Sequence, residues 1–319
     1  MTVSVVMAVF NGESYIREQL DSILSQSCLP DEIIVCDDCS DDGTYKILGE
    51  YLAIHPKCEK VHIQVFKNEE RLGYALNFKK AIDISKGEIV FLSDQDDIWL
   101  EKKVETCLKI MNENPDIMAL STGYEYINET GERIKRTHTL SRKVVDFSFP
   151  IKRIGLKEFV KYPKYPGMAM VFKKEVWSKM NENNIIDWKL KPAHDWAINF
   201  VAALFGGMFF YEGKTVLYRQ HGMNTAGVLA RQSGNNAYMH RLATVKGIIK
   251  NLQSVQSFGD NKDFLQNELD FQIRRLEKLE KGKLSELVFF ELINLKYTAV
   301  KPFIGDIYAL LNRKGKKNA

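Results

Sequence analysis

The sequence predicts an α/β fold with a mostly parallel central sheet and helices on both of its faces. Two observations predict it. Short apolar, β-branched stretches alternate with amphipathic helical stretches through the first 120 residues, the pattern of successive β/α crossovers. Two of those stretches also end directly in acidic clusters. Glu32-Ile33-Ile34-Val35 runs into Cys36-Asp37-Asp38-Cys39-Ser40-Asp41-Asp42-Gly43-Thr44, and Glu88-Ile89-Val90-Phe91-Leu92 runs into Ser93-Asp94-Gln95-Asp96-Asp97. Buried strands thereby deliver carboxylates to one edge of a sheet. Carboxylates gathered at one place repel unless a cation lies between them, so the pattern points to a divalent metal and a phosphorylated ligand. Asp-Asp-Gly-Thr is equally good turn and N-cap chemistry.

Val3–Val9 is a first strand, and Glu13–Gln26 a helix with Ile16, Leu20, Ile23 and Leu24 on one face. The crossing between them, Val9-Phe10-Asn11-Gly12-Glu13-Ser14, has no Gly-x-Gly-x-x-Gly, which weakens a nicotinamide or flavin reading. Glu32–Cys36, Val61–Phe66, Glu88–Leu92 and Ile117–Ser121 are the next strands. Helices at Thr44–Ile54, Tyr74–Ser85 and Trp99–Asn114 separate them, with Asp97 expected to cap the last. Residues 122–166 are polar, aromatic and broken by Pro. They are expected to hold a hairpin (Tyr124–Ile127, Arg133–Thr137) and a short helix at Leu156–Tyr162. Regular structure resumes with strands at Met168–Phe172, Met208–Tyr211 and Thr215–Tyr218 and a helix after Asp195. From about Leu229 the pattern is helical: Phe264 to Leu279 keeps helical spacing, and Leu284–Ala299 is a helix ended by Pro302.

A chain of 319 residues allows one large or two ordinary domains. Its formal net charge of +4 is unevenly placed: residues 241–319 hold 15 Lys and Arg against 9 Asp and Glu. A basic tail on a near-neutral body points to an anionic surface. The excess is confined to the tail and lacks an aromatic–basic module, which disfavours nucleic acid. Five cysteines without framework spacing argue for a reducing compartment. Cys36-x-x-Cys39, with His55, Cys58 and His62 nearby, invites a zinc reading, but Cys36 at the end of a buried strand reads better as a small apolar filler. The first ten residues are too short for a signal peptide or a span, and no stretch approaches transmembrane length.

Five motifs in order carry a resemblance: Val9-Phe10-Asn11-Gly12-Glu13, Asp37 to Thr44, Ser93-Asp94-Gln95-Asp96-Asp97-Ile98-Trp99, His194-Asp195-Trp196, and Tyr218-Arg219-Gln220-His221-Gly222-x-Asn224. Over roughly residues 2–230 the chain resembles family 2 glycosyltransferases of the GT-A fold, and more narrowly bacterial rhamnosyltransferases of surface-polysaccharide assembly. The resemblance implies a GT-A catalytic domain over 1–228, with a nucleotide-binding half at about 1–121 and an acceptor-side half at about 122–228. A helical region over 229–319 would follow, packing on the catalytic domain, associating with a membrane or forming a homodimer.

The resemblance also implies roles. Ala8, Phe10, Asn11, Glu13, Asp38, Arg71, Asp94, Gln95 and Arg219 would bind the nucleotide-sugar donor, Asp38 by accepting a hydrogen bond from a pyrimidine base and Arg219 by pairing with the diphosphate. Asp96 and His221 would hold Mg²⁺ or Mn²⁺. Asp195 would be the catalytic base, near a helix N-terminus, an end that favours negative charge. His194 would order its loop, Trp99 would pack, and Gly222–Asn236 would form a lid. The implied reaction moves rhamnose from dTDP-rhamnose to a lipid-linked saccharide with inversion, in the cytoplasm at the inner face of a bacterial plasma membrane. Rival readings are a UDP-hexose or UDP-N-acetylhexosamine transferase, and a non-enzymatic, membrane-associated assembly partner.

Overall fold

The computed structural model describes residues 1–54, 60–134, 150–222, 237–256, 259–294 and 300–311. The chain forms two compact units. The first comprises Met1–Phe159, Lys164–Glu182 and Ala193–Gln220; the second comprises Val160–Pro163, Asn183–Pro192 and His221–Ala319.

The first unit is built on nine strands: β1 (Val3–Val9), β2 (Glu32–Asp37), β3 (His62–Lys67), β4 (Ile89–Ser93), β5 (Ile98–Trp99), β6 (Ala119–Ile127), β7 (Ile151–Arg153), β8 (Met170–Lys173) and β9 (Met208–Arg219). Helices α1 (Ile16–Leu24), α2 (Thr44–Ile54), α3 (Tyr74–Ile84) and α4 (Lys103–Glu113) follow β1, β2, β3 and β5. Further along are α5 (Leu156–Lys161), α6 (Lys174–Glu182) and α7 (His194–Leu204). The sheet order is β3-β2-β1-β4-β8-β6-β9-β5, with β7 also on β9. The first four strands are parallel, in a register that aligns Val9 with Asp37 and Met7 with Ser93. The carboxyl ends of β1, β2 and β4 therefore meet at one edge, on either side of the point where the strand order reverses. Ligands bind in that crevice in open α/β sheets. β2 and β4 are buried throughout, as their unbroken apolar runs require.

Beyond β4 the sheet is mixed. β8 runs antiparallel to both β4 and β6, while β9 runs parallel to β6. After β6 the chain returns to the sheet in β7, antiparallel to β9, and α5 precedes its next entry, in β8, which again runs against β6. A short 3-10 turn, Gly167–Ala169, is left at the carboxyl edge just before β8. The two strands expected at Met208–Tyr211 and Thr215–Tyr218 are one strand, because register shifts against β6 absorb the residues between them. The helix expected from Trp99 begins at Lys103, since Ile98 and Trp99 pair with β9 instead. Of the expected hairpin, an isolated bridge joins Ile127 to Arg133; its remainder lies outside the described residues.

In the second unit, α8 (Ala237–Gln253), α9 (Lys262–Lys281), α10 (Leu284–Ile293) and α11 (Val300–Leu311) enclose a small core. It includes Tyr238, Leu242, Val245, Leu279, Leu287 and Leu310. Gly282, at φ 73°, ends α9 in the left-handed conformation that suits glycine. Pro302 lies inside the first turn of α11, where its missing N–H costs nothing, rather than ending the preceding helix. Cys36 is buried and its thiol is pushed up to about 11 by that burial. His55 and Cys58, the lid and the basic tail lie outside the described residues.

The amino edge of the sheet is stitched by Gly87, whose N–H donates to Ser4 Oγ (2.7 Å), and by Ser4 Oγ, which donates to Glu32 (2.5 Å). A Cβ at Gly87 would lie 2.6 Å from the Ser4 backbone nitrogen. Gly87→Ala is expected to cost about 1–3 kcal/mol through overpacking against backbone, read as a lower urea midpoint at unchanged slope.

Candidate active site

The loops after β1 and β2 hold each other. Asn11 N–H donates to Ser40 Oγ (3.0 Å), Gly12 N–H to Thr44 Oγ1 (2.8 Å) and Glu13 N–H to Asp42 (3.2 Å). In return Asp41 N–H donates to Asn11 Oδ1 (3.0 Å) and Gly43 N–H to Glu13 Oε2 (2.7 Å). Asn11 and Glu13, expected at the donor, thus shape the loop. Ala8 is partly buried on β1, paired with Cys36. The Arg71 guanidinium stacks on the Phe10 ring at 3.6 Å, a cation–π contact on the same edge.

Gln95, expected at the donor, holds the backbone of Phe10. Its Oε1 accepts from Phe10 N–H (2.8 Å) and its Nε2 donates to Phe10 C=O (2.9 Å). The amide imitates a strand partner across the reversal point and is engaged at both ends, so Gln95 positions Phe10. Gly12 leaves room for it: a Cβ there would lie 2.6 Å from Gln95 Oε1.

Asp38 is 3% exposed and accepts from Asn68 Nδ2 (2.8 Å), Leu72 N–H (2.7 Å) and Gly73 N–H (2.8 Å). A carboxylate offers about four acceptor sites. Asp38 therefore anchors the loop after β3 and keeps about one site for a ligand donor. Asn77, bonded to Asn68 (2.9 Å) and to Cys36 C=O (2.7 Å), completes this polar knot.

The second acidic cluster converges. One carboxylate oxygen each from Asp94, Asp96 and Asp97 lies within 4.8 Å of the others. Asp97 does not cap a helix: its Oδ1 accepts from Arg219 N–H (2.9 Å), and its buried Oδ2 has no hydrogen-bond partner among the described residues. Burial, then Asp96 and Asp195, push the Asp94 carboxyl up to about 7. Burial, then Asp96 and Asp94, also hold Asp97 well above the usual carboxylate range. An orphaned buried oxygen and raised carboxyls are what a hard cation relieves, so this donor set fits Mg²⁺ or Mn²⁺. Asp97 joins Asp94 and Asp96 in that set. His221, expected as a further ligand, is the first residue of the last segment of the second unit.

Arg219, expected at the diphosphate, is 1% exposed. Nε donates to Asp96 C=O (2.8 Å), Nη1 to Glu129 C=O (2.9 Å), and Nη2 pairs with Glu18. A guanidinium so placed holds the acidic turn from behind. Lys103 lies under the same turn. Its ammonium donates to Met168 C=O (2.7 Å) and sits 3.9 Å over the Trp99 ring, and burial pushes it down to about 7 against the pull of Cys107, Asp97 and Asp94. Tyr218 packs close enough to the three carboxylates that they, after burial, raise its phenol.

Asp195 enters from α7, in the first turn, with Ala193 at the N-cap. Its Oδ2 accepts from Gly167 N–H (3.0 Å) and its Oδ1 from Trp196 N–H (2.8 Å). A Cβ on Gly167 would meet Asp195 Cβ at 3.4 Å and Leu92 Cδ1 at 3.5 Å, so Asp195 lies close to the strand that carries the acidic cluster. His194 does not order the loop by hydrogen bonds. Both its nitrogens are buried without such partners among the described residues, the ring stacks on Phe78 at 3.9 Å, and burial pushes it down to about 4. The sequence reading missed Lys103, Asn68, Asn77 and Gly167, and it gave no role to Tyr218, although Tyr218 opens the motif that holds Arg219.

The fold and these loops define a class, and sequence comparison agrees. Residues 4–179 match Glycosyl transferase family 2, more than half of the chain, and the chain belongs to that family. It is 36% identical over 129 residues to TuaG of Bacillus subtilis (strain 168), a glycosyltransferase named for teichuronic acid biosynthesis, covering 40% of this chain. That match spans about half (49%) of TuaG's length. The dTDP-rhamnosyl transferase RfbG of Shigella flexneri is 29% identical over 232 residues, covering 69% of this chain and 73% of RfbG. Among solved structures, S. aureus TarS 1–349 in complex with UDP-GlcNAc superposes with a TM-score of 0.59 at 18% identity, covering 96% of this chain and 82% of TarS 1–349. The mannosyltransferase PcManGT from Pyrobaculum calidifontis, in complex with GDP-Man and Mn²⁺, gives 0.55 at 18% identity, covering 97% and 84%. The architecture is the GT-A fold.

Arg219→Ala would strip the guanidinium from the buried carbonyl of Asp96 and from Glu18 and Glu129. It is expected to lower stability by about 2–4 kcal/mol, measured by urea unfolding. Asp94 gives a pH signature. In the cation-free folded chain it stays protonated up to about pH 7, against an ordinary value of 3.8. The folded state binds the extra proton between those values, so stability falls as pH rises through that window. Asp94→Asn escapes the loss: its advantage over the wild type, read as urea midpoints in chelator, grows from about pH 4 to about pH 7.

Proposed function

We propose that the chain is an inverting, metal-dependent glycosyltransferase that moves a sugar from a nucleotide diphosphate to a saccharide acceptor on a lipid carrier. The observation that carries this reading is the convergence of Asp94, Asp96 and Asp97 at the carboxyl end of β4, with Asp195 beside them on a separate element. The match to RfbG, whose name specifies dTDP-rhamnosyl transfer, favours rhamnose as the sugar, and the match to TuaG, named for teichuronic acid biosynthesis, favours the assembly of a polysaccharide.

In this reading Phe10 and Arg71 bound the nucleotide side of the crevice, and Asp38 offers its remaining acceptor site to the ring N–H of a pyrimidine. A divalent cation held by Asp94, Asp96 and Asp97 would offset the charge that builds on the departing diphosphate. Asp195 receives the acceptor hydroxyl's proton as the oxygen bonds to the anomeric carbon, on the face opposite the breaking bond to diphosphate. The Gly167 and Trp196 N–H groups fix the Asp195 carboxylate and leave it about two further acceptor sites. The anomeric carbon passes through an oxocarbenium-like state and inverts.

Titration calorimetry of dTDP, UDP and GDP, each with and without Mn²⁺, tests the donor site. Binding of dTDP is expected to require Mn²⁺ and to vanish in Asp96→Ala. Absence of binding by any of the three to folded protein with metal present would sink the reading. Asp195→Asn is expected to keep donor binding and to lose turnover by about 10²–10⁴-fold.

A further inference from the structure

Two elements carry the chemistry of the crevice, the acidic turn after β4 and the start of α7. One buried side chain links them. Lys103, at the first position of α4, is 1% exposed. Its helix opens soon after Asp97, once Ile98 and Trp99 have paired with β9. Its ammonium reaches the Met168 carbonyl (2.7 Å), in the middle of the 3-10 turn Gly167–Ala169. That turn touches Asp195, because Gly167 N–H donates to Oδ2 at 3.0 Å. The carboxylate's other bond, from Trp196 N–H, belongs to α7 and moves with it. Among the described residues, Gly167 N–H is therefore the donor that ties the Asp195 carboxylate to an element outside α7.

The turn is held from two sides. Lys103 takes the Met168 carbonyl. Thr122 Oγ1, on β6, donates to Ala169 C=O (3.3 Å) and lies 2.6 Å from Thr215 Oγ1. The turn also lies close against α7: a Cβ on Gly167 would stand 3.0 Å from His194 Nε2. Burying an ammonium is costly, and an unbranched apolar side chain such as Met would fill the same volume without that cost. What Lys adds at this position is a charged donor, and that donor is aimed at the turn that holds Asp195.

We propose that Lys103 is a positioning residue for the base: its bond to Met168 sets the Gly167–Ala169 turn, and the turn sets the direction of the Asp195 carboxylate. Lys103 thereby ties the base to the segment that carries the acidic cluster, so that leaving group and incoming hydroxyl meet at a fixed separation. A displacement of about 1 Å near the reacting groups costs roughly a hundredfold in rate. The proposal rests on the reading of Asp195 as the base.

The test is release of dTDP from dTDP-rhamnose with Mn²⁺, water serving as the acceptor, in the wild type, Lys103→Met, Gly167→Ala and the double variant. Lys103→Met is expected to lower kcat roughly 10- to 100-fold. The KM for dTDP-rhamnose and the Mn²⁺-dependent affinity for dTDP are expected to stay within about twofold of the wild type. Gly167→Ala is expected to show the same split. The double variant is expected to lose little beyond the worse single one, because both changes act on one bond. Thr122→Val, a same-shape change at the other end of the turn, is expected to lower kcat by a smaller factor at unchanged KM. Unchanged kcat in folded Lys103→Met would overturn the proposal, and so would losses that add in the double variant. A parallel loss of dTDP affinity would also overturn it, since Lys103 would then serve the acidic turn alone. Where Lys103→Met does not fold, unchanged kcat in Thr122→Val overturns it. Full activity of Asp195→Asn would remove the base reading and this proposal with it. Release of no dTDP by the wild type would overturn the proposal together with the transferase reading.

Discussion

Three carboxylates held within 4.8 Å of one another are the constraint on which the first unit depends. Mutual repulsion would open the turn that carries them, so other elements must clamp it. Arg219 does so through the Asp96 carbonyl and, by its own N–H, the Asp97 side chain, while reaching Glu18 on α1 and the carbonyl of Glu129 beyond β6. Lys103 adds a buried amine from α4 that donates to Met168 C=O under the turn. The length of β9 and its register shifts against β6 acquire a purpose here. They carry the chain across the sheet so that its last residue ends behind the acidic turn.

Most polar side chains around the crevice hold the scaffold. Asp38 anchors the loop after β3, Glu13 the loop after β2, and Gln95 the backbone of Phe10. Asp94, Asp96 and Asp97 gather on one side of the crevice and Asp195 stands on a separate element. That division suits a group transfer, in which a charged leaving group and a proton must be received at separate places. The cradle is preorganised by hydrogen bonds between loops, so a ligand entering it meets fixed dipoles.

The two units use buried charge differently. In the first, acids gather at a sheet edge with an orphaned oxygen and raised carboxyls, an arrangement completed by a cation. In the second, Glu291 and Asp306 are neutralised by Arg275 and Arg241 inside a helical core. Burying such a network contributes little net stability. Its effect lies on the outside, where α10 and α11 expose large apolar side chains such as Phe289 and Ile304.

The sequence by itself determined the elements and the chemistry-bearing motifs. β1 and α2 begin and end where their apolar periodicity says, because period and capping are local properties. The acidic turn after β4 and Asp195 at the start of α7 were legible for the same reason. Their roles were legible only through resemblance to a family. The tertiary structure alone decided which groups are free. Gln95 and Arg219 read as ligand contacts, yet Gln95 binds backbone 85 residues away and Arg219 backbone 123 residues away. It also decided that Asp97 serves the cluster rather than a helix cap, because Ile98 and Trp99 pair with a strand more than a hundred residues later. Local propensity speaks for a few neighbours, whereas the partner of a buried polar group is set by whichever element the fold brings against it.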